Sequence, residues 1–496
     1  MKDTIQIDND RLGLQMDQLL AKKDTESVIQ LIERIEEVIC SRNEKDCATL
    51  YYYMGTAYSS LASWHQQPDK RAIQTEYLKK ALTNFRKAML IQETICKPTV
   101  EDKDLLLCVY TNYANALESC GRIIETVRMY RKALEVDSSF SMAEGNYGRI
   151  LSRYAQLVND PGHKKELHCY AYQALKRSLS SPDFFLHEGA QQFFSRIINR
   201  YEEIFPKSWL NAPIIFPKYK LGMRPERAYR LWCLEHHLFL HPLNDLIDKQ
   251  DAFAHDPLVI SRIIEESKEA QNGNEDDSVP PKWFAMFNQI KEEYAYARFL
   301  CYEGIEKSRR VHFADKDVKL TFASFDYTTY SIRLEQIKSA FRILYSIFDQ
   351  ISFAINLFWD IGLTERKADA NNLFRNNRYP RDNMALSGIY WSHQELLEFG
   401  CEHDLNTLRN ALEHKYVKVH AWGHKSDAET AMTIGEDGFY HINEEDLNEK
   451  ALRILELARE WILNFAYAIE IKERSKESTV PYVHLQVFDY DDALKL

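Results

Sequence analysis

Within residues 408–420, LRNALEHKYVKVH, an arginine, an asparagine and a histidine stand close together as Arg409, Asn410 and His414. These three residue types suit the cleavage of a phosphodiester. A histidine titrates near neutrality, so it can take the proton of a ribose 2′-hydroxyl or return one to a leaving oxygen. An arginine offers a permanently charged planar fork that grips a phosphate and stabilises charge developing on it. An asparagine can orient either partner through hydrogen bonds. The chemistry calls for no metal and no cofactor.

The surrounding pattern predicts a helix, with Asp404 as its N-cap. At about 100° per residue, Leu405, Leu408, Leu412, Tyr416 and Val419 form one apolar stripe. Asn410, His414 and Val417 point away from that stripe, and Arg409 lies at its edge. Arg409 and His414 are then separated by roughly 140° around the axis, so a single helix does not present both to one point. Either the arginine reaches around or a second copy of the helix completes the site.

The whole chain reads as a helical protein. Its 45% apolar and 28% charged residues are those of a globular domain, and 496 residues are enough for several domains. Sixteen glycines and fourteen prolines are few for this length, which favours long helices with short connections over many-stranded folds. The start has no apolar leader, and no later run approaches the roughly 18 apolar residues of a membrane span. Nine cysteines are scattered singly with no paired spacing, as expected of reduced thiols in the cytoplasm. With a net charge of −11, any contact with RNA must come from a local basic patch.

Residues 4–182 repeat themselves. Tyr113-Ala114 returns as Tyr147-Gly148 after 34 residues, and Gly121, Thr126, Tyr130 and Ala133 fall between them. A small-large-small pattern recurs at Ala81, Phe85, Ala88 and at Ala171, Leu175, Ser178, where small residues let paired helices approach. This segment resembles a short, degenerate tetratricopeptide array. A plain helical bundle is the alternative.

Residues 183–280 read as a helical connector followed by an acidic linker, ESKEAQNGNEDDSVPPK. Four strong helical patterns then fill 281–475, ahead of a C-terminal tail at 476–496. In the second of them Ile337, Phe341, Leu344, Ile347, Phe348, Ile351 and Ile355 mark one face, and a four-helix bundle is the natural closure. The expected fold is therefore all-α.

The string R-N-x-L-x-H in the third helix of such a bundle resembles the HEPN superfamily of ribonucleases, in the bacterial branch with N-terminal tetratricopeptide-like repeats. The resemblance implies a metal-independent endoribonuclease that leaves a 2′,3′-cyclic phosphate and works as a homodimer, often as a toxin or antiphage effector. Arg409 would hold the scissile phosphate, His414 would be the acid and base, and Asn410 would be the polar residue that follows the arginine. RNA is the implied partner, with the repeats as sensor or regulator. Asp349 is placed to orient Arg409 or else is a satisfied structural aspartate. Arg375, Arg378 and Arg381, with Lys415 and Lys418, could supply the basic patch or could simply be solvated.

Two rivals remain in the sequence. His237 and His241 have metal-ligand spacing on a helix with Asp245 one turn on, but Pro242 interrupts that helix. Arg230 and His236 repeat the arginine–histidine motif loosely. At the level of the whole protein, the alternative to an enzyme is a repeat scaffold that binds peptides or protein partners, carrying a silent, dimerising bundle.

Overall fold

The computed structural model describes residues 9–65, 71–180, 186–247, 250–261, 263, 282–306, 311–320, 328–375, 379–397, 400, 402–421, 432–435 and 438–476. The acidic linker up to residue 281, Arg378 and the tail at 477–496 lie outside the described residues. The first eight helices are α1 (Asn9–Lys22), α2 (Thr25–Ile39), α3 (Glu44–Trp64), α4 (Arg71–Glu93), α5 (Val100–Ser119), α6 (Ile123–Val136), α7 (Ser141–Leu157) and α8 (Pro161–Ser180). They pack mainly as consecutive pairs, α3 with α4, α5 with α6 and α7 with α8. Their small-large-small positions meet inside those pairs: Ala81, Phe85, Ala88, Ala133, Ala171 and Leu175 are all fully buried. Helix α9 (Glu188–Ile204) continues against α7 and α8, followed by the single turn α10 (Lys207–Leu210) and by α11 (Arg224–Glu235).

The C-terminal body comprises α12 (Lys282–Glu306), α13 (Ile332–Phe358), α14 (Ala370–Arg375), α15 (Met384–Leu396), α16 (His403–His414), the strands β1 (Val417–His420), β2 (Met432–Ile434) and β3 (Tyr440–Asn443), and α17 (Glu444–Arg474). The expected core face of α13, from Ile337 to Ile355, is buried along its whole length. Helices α12, α13 and α17 pack together, and α15 and α16 share the remaining side, α15 on α17 and α16 on α13. Two helices outside the four expected, α14 and α15, precede the motif helix, which is therefore not the third of the body. The all-α expectation holds, with a small three-stranded sheet added in the order β1-β3-β2. No helix among the described residues is long and apolar enough to cross a membrane.

The turn between α5 and α6 is where the N-terminal helices lock onto the C-terminal body. Gly121 there has φ +76°, a conformation that favours glycine, and a Cβ on it would come within 2.6 Å of the Met384 carbonyl oxygen. The next residue, Arg122, is completely buried and reaches α15 and α17. Gly121→Ala is therefore expected to cost more than the ~1–2 kcal/mol of a left-handed backbone alone. Gly362 supplies the comparison, since it also has positive φ but open space around its Cβ. In urea unfolding, Gly121→Ala should lose more stability than Gly362→Ala; equal losses would mean that the close approach matters little.

Buried ion pairs continue this junction. Arg122 Nη2 lies 2.6 Å from Glu460, and its Nη1 donates to Glu395. Arg453 on α17 meets Glu125 on α6 at 3.1 Å and Glu402 at 2.7 Å, while Arg86 on α4 meets Glu402 at 3.0 Å. Burial opposes ionisation of Glu125, yet the guanidinium groups of Arg453, Arg128 and Arg122 prevail and hold its carboxyl well below the usual range. Burial pushes the Glu395 carboxyl upward against the pull of Arg122.

Candidate active site

The motif lies on α16, whose Leu405, Leu408, Ala411 and Leu412 are buried. The helix begins differently from the expectation. Glu402, not Asp404, occupies the N-cap position, without a side-chain cap bond, and Asp404 instead accepts from Lys450 on α17. Glu402 is buried in the junction and tied to Arg86 and Arg453, so tertiary ion pairing fixes this end in place of a local cap.

The far end also differs. The helix stops at His414, and Lys415 is extended at φ −133°, ψ −179°. Tyr416 therefore leaves the expected stripe and is 74% exposed, while Val419 is buried from a strand. The reason is the alternating Val417-Lys418-Val419-His420, a period-two pattern of β-branched and polar residues that suits a strand. Strand β1 runs parallel to β3 in the register Val417↔Tyr440 and Val419↔Ile442. Lys415 and Lys418 consequently lie beyond the helix, not on it.

Three polar residues of α13, Arg342, Tyr345 and Asp349, recur at helical spacing on the side facing α16. Arg342 Nη2 donates to the Leu412 carbonyl at 2.7 Å and so satisfies an open carbonyl in the last turn of α16. Tyr345 Oη donates to Asn406 Oδ1 at 3.0 Å, and the Arg409 guanidinium sits 5.3 Å from the centre of the Tyr345 ring. Burial pushes the Tyr345 hydroxyl up to about 12, keeping it a donor. Arg409 Nη1 donates to Asn410 Oδ1 at 3.0 Å. Asn410 and His414 are exposed.

Tyr345 and Arg342 are the site-lining residues that the sequence reading missed. Their signal is the i, i+3, i+7 recurrence of Arg342, Tyr345 and Asp349 beside the apolar face of α13.

Asp349 is half-buried and accepts the Ala370 N–H at 3.2 Å. Burial raises its carboxyl above the usual range; the Ala370 N–H and, more weakly, Arg409 pull it back. Its interaction with Arg409 acts through space and is not an ion pair.

The expected basic residues fall into two groups. Arg375 closes α14, which packs on α13, and Arg381 lies 6.0 Å from the Tyr379 ring. Lys415 and Lys418 lie beyond the end of α16 that Arg342 braces. Since Asp349 meets α14 seven residues further along α13, these groups sit toward opposite ends of the α13–α16 contact.

The rival histidines are structural. His237 Nδ1 lies 2.5 Å from the Asn244 carbonyl, and His241 Nδ1 accepts the Leu243 N–H at 3.2 Å. Asp245 is taken by Arg459 and Tyr154. His236 ends α11 with its ring against Trp232, and Arg230 is paired with Glu226.

Residues 274–472, which contain α12 to α16, the sheet and most of α17, match the family model described as LA2681-like HEPN. The chain carries a HEPN domain. Members of this superfamily are typically ribonucleases, and Arg409, Asn410 and His414 all lie inside the HEPN domain. The N-terminal helices stand outside the match. No curated protein and no solved structure matches the chain.

Proposed function

We propose that the protein is a metal-independent endoribonuclease of HEPN type, acting in the cytoplasm as a toxin or antiphage effector, with an N-terminal tetratricopeptide-like region (4–182) as sensor or regulator. One observation carries this reading. On the long bundle helices, Arg298, Arg333, Arg342, Arg453, Arg459 and Arg474 each meet a carboxylate within 4.0 Å. Among the described residues Arg409 meets none; its side chain rests on Tyr345 and Asn410 and keeps its charge for something else.

A phosphate is the natural occupant of such a fork. In the proposed step the ribose 2′-oxygen attacks phosphorus and the bond to the 5′-oxygen breaks. His414 takes the 2′-proton and returns it to the leaving 5′-oxygen, while Arg409 neutralises the charge gathering on the phosphate. Asn410, hydrogen-bonded to Arg409, holds the fork in place. The angular separation of Arg409 and His414, roughly 140° on a helix, supports a homodimer in which two copies of α16 complete each site.

The junction supports a regulatory role for the N-terminal helices. Arg86 and Arg122 grip Glu402 and Glu395, the acidic residues on either side of the turn that leads into α16. Movement of α4 or α6 therefore reaches the start of the motif helix.

The direct test is to incubate the purified full-length protein with RNA and determine the product ends. Fragments ending in a 2′,3′-cyclic phosphate, formed equally in the presence of a chelator, are expected. If RNA stays intact under all conditions while the N-terminal helices capture a peptide or protein, the scaffold reading replaces this one.

A further inference from the structure

Immediately beyond His414 the chain displays an aromatic surface that the core does not use. Tyr416 is 74% exposed, and its ring lies 5.2 Å from that of Phe439, tilted by 48°. Lys418, which shares the Tyr416 side of the strand because side chains alternate, places Nζ 4.7 Å from the centre of the Phe439 ring. The backbone beneath is fixed. The Tyr440 N–H donates to the Tyr416 carbonyl at 2.9 Å, and β1 continues in register along β3. Two residues further along the same side of the strand, the rings of His420 and His441 stack with Nε2 and Nδ1 2.8 Å apart. An exposed ring on fixed backbone, backed by a second ring and flanked by lysines, is thus held two residues from His414.

We propose that Tyr416, supported by Phe439 and Lys418, is a stacking platform for an unpaired base of the RNA beside the bond that His414 cleaves. The proposal rests on the ribonuclease reading and adds a base-binding subsite to it. A base offers a flat π-face to Tyr416 whatever its identity, and the neighbouring phosphates are attracted to Lys415 and Lys418. In this acidic chain such a local cationic rim is what a nucleic-acid strand requires. A second copy of the chain is the weaker occupant. A two-fold interface centred on this surface would bring Lys415 and Lys418 against their own counterparts, placing like charges face to face.

The platform carries a consequence for the substrate. Bases in a duplex are stacked on each other and cannot lie on Tyr416, so single-stranded or looped RNA is favoured.

The test uses the full-length chain carrying His414→Ala, which leaves the RNA uncut, and fluorescence anisotropy with a labelled single-stranded RNA. A second probe of the same length is abasic near its centre. Adding Tyr416→Ala is expected to weaken binding of the intact RNA by roughly 10- to 100-fold. Tyr416→Trp should retain it, and the abasic probe should bind weakly and respond little to either change. If the parent binds RNA but Tyr416→Ala binds just as tightly, the platform is refuted and the ribonuclease reading stands. The platform also fails if Tyr416→Ala weakens the intact and abasic probes alike, or if sedimentation shows that it dissociates a dimer. A parent that binds no RNA at all overturns the ribonuclease reading itself.

Discussion

His414→Ala and Arg409→Ala are each expected to lower RNA cleavage by roughly two to four orders of magnitude, the range for removing a general acid–base group or a charge-stabilising donor. Neither change should disturb the fold. His414 is exposed at the end of α16, and among the described residues Arg409 rests on Tyr345 and Asn410. The surface contact with the Tyr345 ring is worth about 0.5–1 kcal/mol. Because both residues act in one step, the double variant should be scarcely slower than the worse single one. Arg409→Lys should recover little, since an ammonium lacks the planar fork that grips two phosphate oxygens. Asn410→Ala should cost less than either, as it removes only a hydrogen bond to the fork. Mixing the Arg409→Ala and His414→Ala proteins adds a further readout. If each site takes its arginine from one copy and its histidine from another, mixing and allowing the copies to exchange should restore part of the activity. Undiminished cleavage by His414→Ala would remove this residue from the mechanism.

Arg122→Met is expected to destabilise the protein by about 3–5 kcal/mol, the cost of leaving buried charge without its partner. The guanidinium is fully buried and hydrogen-bonded to both oxygens of Glu460, at 3.1 and 2.6 Å, as well as to Glu395. Glu125 lies a further 3.8 Å from Nη2. Removing this cation leaves Glu395 of α15 and Glu460 of α17 buried without the partner that neutralises them, while Glu125 of α6 keeps Arg453. Adding Glu460→Leu should restore a substantial share of the lost stability, because an apolar pair of similar size avoids the desolvation cost. Urea unfolding of the single and double variants measures this coupling directly. Additive losses would mean that Arg122 and Glu460 stabilise the junction independently.

Several features were legible in the sequence because they depend on local periodicity. The buried stripe of α13 followed from apolar residues at helical spacing, and Leu405, Leu408 and Leu412 on α16 followed in the same way. The arginine–asparagine–histidine string was sufficient to suggest the HEPN family, which the match over residues 274–472 bears out. The end of the motif helix was misjudged because Tyr416 and Val419 fit a helical stripe as well as they fit a strand. Five residues cannot separate the two periods, and pairing with β3, a segment some twenty residues later, settled it. Arg342 and Tyr345 were missed because their role depends on α16 crossing that face of α13.

The sequence by itself determined the helical class, the core faces and the three polar residues that stand ready for chemistry. Those properties arise from neighbours three or four positions apart, where the chain's own geometry sets the contact. Only the tertiary structure decided that Glu402 anchors the motif helix, that Arg122 fastens the N-terminal helices to the bundle, and that Arg409 meets no carboxylate among the described residues. Charges pair across hundreds of residues, as Arg122 and Glu460 do, and no local pattern records which acid a buried arginine will meet. The availability of Arg409 is equally a property of the whole fold, because it depends on where every other charge has gone.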